Sequence, residues 1–125
     1  MSENFFLQQS PFVVPTSDGK LIEEHIGHAS TGESNLSVAH MVAPPGWSEP
    51  HQNPEFDEYT LMVRGRKQIE INGETVTLKS GESLLVRKGV RVQYSNPFEE
   101  EAEYWSVCIP AFSPDSVNRE QESST

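Results

Sequence analysis

Gln68-Ile69-Glu70-Ile71-Asn72-Gly73-Glu74-Thr75-Val76-Thr77-Leu78 is the stretch that decides the fold class. Apolar and polar side chains alternate on both sides of Asn72-Gly73, which is the period of a half-buried strand. Asn-Gly tolerates positive φ at both central positions of a type I′ turn, whose twist matches that of the strands it joins. The stretch therefore reads as a tight hairpin. Working outward, residues 36–42 (Leu-Ser-Val-Ala-His-Met-Val) alternate large and small side chains, and 59–63 (Tyr-Thr-Leu-Met-Val) are rich in strand formers. Strand-like runs follow at 83–87, 90–94 and 103–109, divided by Lys79-Ser80-Gly81-Glu82, Lys88-Gly89 and Ser95-Asn96-Pro97. Short strands at this spacing, broken by Gly, Pro and Asn, indicate an all-β antiparallel sandwich or barrel. Only Ser113-Pro114-Asp115 offers a helix start, with an N-cap serine, proline at the first helical position and an acid in the first turn. It predicts a short helix or turn at about 114–119. Residues 120–125 and the first few residues read as frayed.

The chain has 125 residues, enough for one domain with a single core. We divide it into N-terminal strands and loops (1–34), a barrel core (35–112) and a short helix or turn with a tail (113–125). Its formal net charge of −10 argues against a nucleic-acid partner and against an anionic membrane surface. Seven of the nine basic residues lie between Arg64 and Arg91, followed by the acidic run Glu99, Glu100, Glu101 and Glu103. Solvated strand faces account for that pattern; a cationic patch near a cavity mouth, attracting an acidic small molecule, is the functional alternative. The single cysteine, Cys108, excludes an internal disulfide, fits a reducing compartment and sits in an apolar run as an inert thiol. The N-terminus lacks a basic region and a long apolar core, so the expected location is cytoplasmic.

Chemistry concentrates just before the strand at 59–63. Residues 51–58, His-Gln-Asn-Pro-Glu-Phe-Asp-Glu, gather an imidazole, two side-chain amides and three carboxylates next to a rigid sheet. A scaffold that fixes ligand groups in this way is what a metal or small-molecule site needs. The motif order resembles a small single-domain cupin of the cupin-2 type over roughly residues 35–110. That family's first motif is Gly, five residues, His-x-His, three or four residues, Glu, six residues, Gly. Here it reads Gly46, four residues, His51-x-Asn53, four residues, Glu58, six residues, Gly65. The second motif is Gly, five residues, Pro-x-Gly, two residues, His, three residues, Asn; here it reads Gly81, Arg87-x-Gly89, Val92, Asn96.

The resemblance implies a double-stranded β-helix, or jelly-roll, barrel that pairs as a homodimer. It also implies a divalent metal (Mn, Fe, Ni or Zn) held by His51, Asn53 and Glu58, with Asn53 as a weak ligand in place of His and Val92 standing where the last His would be. Three readings of this cluster stay open: a metal site, a His51–Glu58 pair lining a polar barrel mouth, and a metal-free ligand site. If Glu58 faces inward, alternation takes Thr60 and Met62 with it, and Val92 and Tyr94 face inward together. Met62, Val92, Tyr94 and His40 are the expected substrate-binding residues, with Tyr94 or His40 the inward titratable group. His25 and His28, three apart, read as surface residues. The expected function is binding of a small polar molecule, a sugar derivative or organic acid, through the metal and with catalysis; the alternative is a metal-free binding or structural barrel.

Overall fold

The computed structural model describes residues 4–120. Nine strands account for the regular structure: β1 (Phe12–Val13), β2 (Leu21–Ile26), β3 (Ser37–Ala43), β4 (Asp57–Arg64), β5 (Arg66–Ile71), β6 (Glu74–Lys79), β7 (Ser83–Val86), β8 (Val92–Ser95) and β9 (Ala102–Ile109). All pairing within the two sheets is antiparallel. One sheet has six strands in the order β1-β2-β3-β9-β4-β7, and the other has three in the order β6-β5-β8. The expected all-β jelly-roll is the observed fold. Pro114–Ser116 forms one 3-10 turn after Ser113, so the helix signal yields a turn. Of the frayed tail expected at 120–125, Glu120 is instead held by a backbone hydrogen bond to His51 and an ion pair with Arg91, and residues 121–125, like residues 1–3, lie outside the described residues.

The Asn72-Gly73 turn forms as its sequence demands, with φ of 49° and 84°, and sets Ile71 opposite Glu74. Between the sheets, inward side chains of both make one core that includes Met62, Ile69, Leu78, Val86, Val92, Tyr94 and Tyr104. A second cluster of Phe56, Cys108 and Val117, with Phe112 against it, lies apart from the first. Asn96, wholly buried, ties the loops together. Its Nδ2 is within reach of the carbonyls of Ala43 (3.2 Å), Pro44 (3.2 Å) and Glu100 (2.8 Å), and its Oδ1 accepts from Phe98 N.

Candidate functional site

Strand alternation sorts the site residues before any chemistry is considered. On β3, Ser37, Ala39 and Ala43 are buried; on β9, Ala102, Tyr104, Ser106 and Cys108 are. Glu58 shares the inward face of β4 with Thr60 and Met62, and it accepts a 2.7 Å hydrogen bond from Ser106 Oγ. These faces border a cavity of about 610 Å³, whose polar lining includes Lys20, Glu49, Gln52, Glu58, Lys67 and Tyr94 and whose apolar wall includes Phe56 and Phe112.

Two lysines dominate its electrostatics. Lys67 is 1% exposed, with Nζ 3.6 Å from the Tyr104 ring centroid and 4.3 Å from that of Tyr94. Lys20 is 8% exposed, with Nζ 4.2 Å from the Trp47 centroid and 5.5 Å from that of Tyr104. The ring faces hold both ammonium groups by cation–π attraction. Neither forms an ion pair with a carboxylate among the described residues. Burial works against the Lys20 ammonium, but Tyr104, Glu49 and Glu58 outweigh it and hold its pKa above the ordinary lysine value. Glu49 is pushed upward by burial, partly opposed by Lys20 and Lys67. Burial and the charges of Glu58 and Glu49 hold the Tyr94 phenol well above its usual pKa, so it stays protonated. The Tyr94 and Tyr104 hydroxyls and Gln52 Oε1 are buried with no hydrogen-bond partner in the protein. Such groups are rare in native interiors and call for an explanation. Cys108 borders the cavity, but burial first and Glu58 second push its thiol far up, leaving it un-ionised and inert.

Of the four residues expected to touch substrate, Tyr94 alone borders the cavity. Met62 and Val92 face inward as alternation requires, but both lie in the filled core. His40 occupies the opposite face of β3. Its Nδ1 is 2.8 Å from Glu23 Oε1 and its Nε2 2.8 Å from Glu103 Oε2, with the ring over Trp105. The one-residue step from Ala39 explains this, because neighbours on a strand point to opposite faces. His25 also lies on Trp105, and His28 is exposed.

His51 and Asn53 are displaced for the same reason. Segment 48–52 runs antiparallel beside β8, and Gln52 sits opposite Val92 with paired backbone hydrogen bonds of 2.9 Å. Gln52 faces the cavity. His51 instead lies 3.4 Å from Glu70 Oε1 without hydrogen-bond alignment, while the Asn53 backbone meets Asn118. A one-residue slip turns every side chain to the other face. Sequence reasoning missed Lys20, Glu49, Gln52 and Lys67. A signal existed for Lys67, which shares the inward face of the hairpin strand with Ile69.

The geometry defines a small antiparallel barrel with lysine and glutamate side chains gathered around an internal cavity. Residues 39–109 match the family model described as a cupin domain, and the chain belongs to the cupin family. Among curated proteins it is 46% identical over 108 residues to the endoribonuclease YbeY of Myxococcus xanthus, covering 86% of this chain and 37% of that one. It is 32% identical over 69 residues to the tetracenomycin polyketide synthase protein TcmJ of Streptomyces glaucescens, covering 54% of this chain and 46% of that one. The chain thus spans less than half the length of either relative. Among solved structures, a Streptomyces PAC13 variant with uridine superposes with a TM-score of 0.76 at 14% identity, covering 99% of this chain and 95% of that one. A cupin 2 conserved barrel protein from Salinispora arenicola gives 0.64 at 16% identity, covering 87% and 88%. At these identities the solved structures share the fold.

The metal that many cupins hold can be tested against this donor set. Keeping the family's five residues after Gly46 puts Gln52 and Pro54, not His51 and Asn53, at its two histidine positions, and Val92 at the third. Proline and valine side chains carry no donor, and Glu58 is already engaged by Ser106. Zn, Mn, Fe or Ni needs three or four donors. No group of three His, Cys, Asp or Glu able to hold an ion occurs among the described residues. The residues present do not fit a metal.

Proposed function

We propose that this chain binds a small polar organic molecule, of the sugar-derivative or organic-acid class, in the barrel cavity without a metal ion. One observation carries the reading: Lys20 and Lys67, buried without a carboxylate partner, line the same cavity as the unpartnered Tyr94 hydroxyl and Gln52 Oε1. Buried charges and polar groups are costly unless satisfied, and a ligand satisfies them. The volume of about 610 Å³ falls in the ordinary range for small-molecule sites. Fixed ammonium groups in a water-poor site also stabilise negative charge developing on a substrate oxygen, so turnover is assayed alongside binding. The polyketide synthase name of the TcmJ relative places polyketides, represented by phenolic ketones, in the ligand panel. The endoribonuclease name attaches to a protein of which this chain spans 37%, and the net charge of −10 opposes RNA as its ligand.

A homodimer and a cytoplasmic location belong to the same proposal. No helix among the described residues is long and apolar enough to cross a membrane. The test is thermal unfolding with sugar derivatives, organic acids and phenolic ketones, each with and without EDTA. A true ligand at about 100 times its Kd adds about 2.7 kcal/mol of stability, and EDTA leaves that gain intact. Stabilisation that EDTA abolishes contradicts the proposal, as does the absence of any stabilising compound.

A further inference from the structure

We infer that the ligand is a hydroxylated carboxylic acid, its carboxylate seated on Lys20 and Lys67 and a hydroxyl donated to Gln52 Oε1. This rests on the cavity being a ligand site and names the chemistry that site selects. Both ammonium groups lie within 5.5 Å of one ring centroid, that of Tyr104, so they address a common region. Each carries three N–H donors and no acceptor, and no carboxylate of the described residues is paired with either. Even with the Tyr104 hydroxyl beside Lys20, donors are left over, and a ligand carboxylate supplies oxygen acceptors for them.

Their charge is set by the neighbours. Glu49 and Glu58 also line the cavity and would repel a phosphate dianion, whereas a carboxylate brings one charge to two ammonium groups. Gln52 Oε1 makes the opposite demand. It is an acceptor on a side chain 4% exposed, and a carboxylate cannot donate to it. A hydroxyl on the same ligand does. The aromatic wall of Trp47, Phe56 and Phe112 suits a flat body joining the two polar ends.

Isothermal titration calorimetry with 3-hydroxybenzoate, 3-hydroxybenzamide and benzoate tests each element. We expect 3-hydroxybenzoate to bind at least about tenfold more tightly than the amide, the range for a hydrogen bond to a charged group. Lys67→Met should bring the acid down to the level of the amide, and Gln52→Leu should erase the preference for 3-hydroxybenzoate over benzoate. Equal binding of acid and amide overturns the inference, as does acid binding that survives Lys67→Met. An uncharged compound that stabilises the protein when neither acid binds also overturns it, yet leaves the cavity a ligand site. If no compound of any class binds, both readings fall. The acid–amide comparison on the unmodified protein decides the matter even if a variant does not fold.

Discussion

Lys67 places a strongly hydrated ammonium between two tyrosine rings, where an apolar side chain would serve the core better. A buried charge without an ion pair subtracts from stability, and its replacement by a hydrophobe of similar length is commonly neutral or stabilising. Lys67→Met is therefore expected to unfold at the same denaturant midpoint as the unmodified protein or a higher one, with a gain of up to about 2 kcal/mol, while binding of 3-hydroxybenzoate falls to the level of the amide. A loss of more than about 1 kcal/mol would mark Lys67 as a structural residue instead. The lysine was legible in the chain, since the alternation that turns Ile69 inward also turns Lys67 inward. Gln52 was legible only through the motif spacing. Placing four residues rather than five after Gly46 drew attention to His51, whose imidazole attracts a metal reading but whose side chain lies outside the cavity. Lys20 and Glu49 sit in loops, where no period announces the direction of a side chain.

Among the elements, the turn joining β4 to β5 depends on Gly65. Its φ is 77°, and a Cβ there would run into the Glu101 carbonyl oxygen, a backbone atom that cannot swing aside. Gly65→Ala should destabilise by about 2 kcal/mol or more, read from chemical denaturation; a neutral result would contradict the close approach of β4–β5 to the start of β9. On the outer face, His40 bridges Glu23 of β2 and Glu103 of β9. Burial lowers its pKa, but Glu103 and Glu23 more than compensate and raise it above the ordinary value. A raised folded pKa gives stability that is present below the unfolded value, near about 6.5, and is lost as pH rises through the folded one. The stability difference between the unmodified protein and His40→Gln should shrink as pH rises above the ordinary histidine value of about 6.5. A difference independent of pH would show that the imidazole acts by shape on Trp105 alone. Strand positions and the β5–β6 hairpin were readable because period and turn chemistry are local. The face of His40 was not, because its register is set by pairing with β9, more than sixty residues away.

At the largest scale, the nine short strands of the described residues close around a core that is apolar where Met62, Ile69 and Val92 lie and charged where Lys20, Lys67, Glu49 and Glu58 line the cavity. The barrel and its family could be read from motif spacing, since glycines and Asn96 mark turns that any such barrel requires. The chemistry could not be read that way, because this chain keeps the frame and replaces the metal-binding donors. In the proposed function, internal lysines, not a bound ion, provide the positive charge of the cavity. Elemental analysis of tag-free protein, dialysed in turn against Mn, Fe, Ni and Zn and then against buffer, addresses it directly. Only trace metal is expected, identical in the unmodified protein, His51→Ala and Glu58→Gln. Near-stoichiometric retention of one ion that Glu58→Gln abolishes would contradict it.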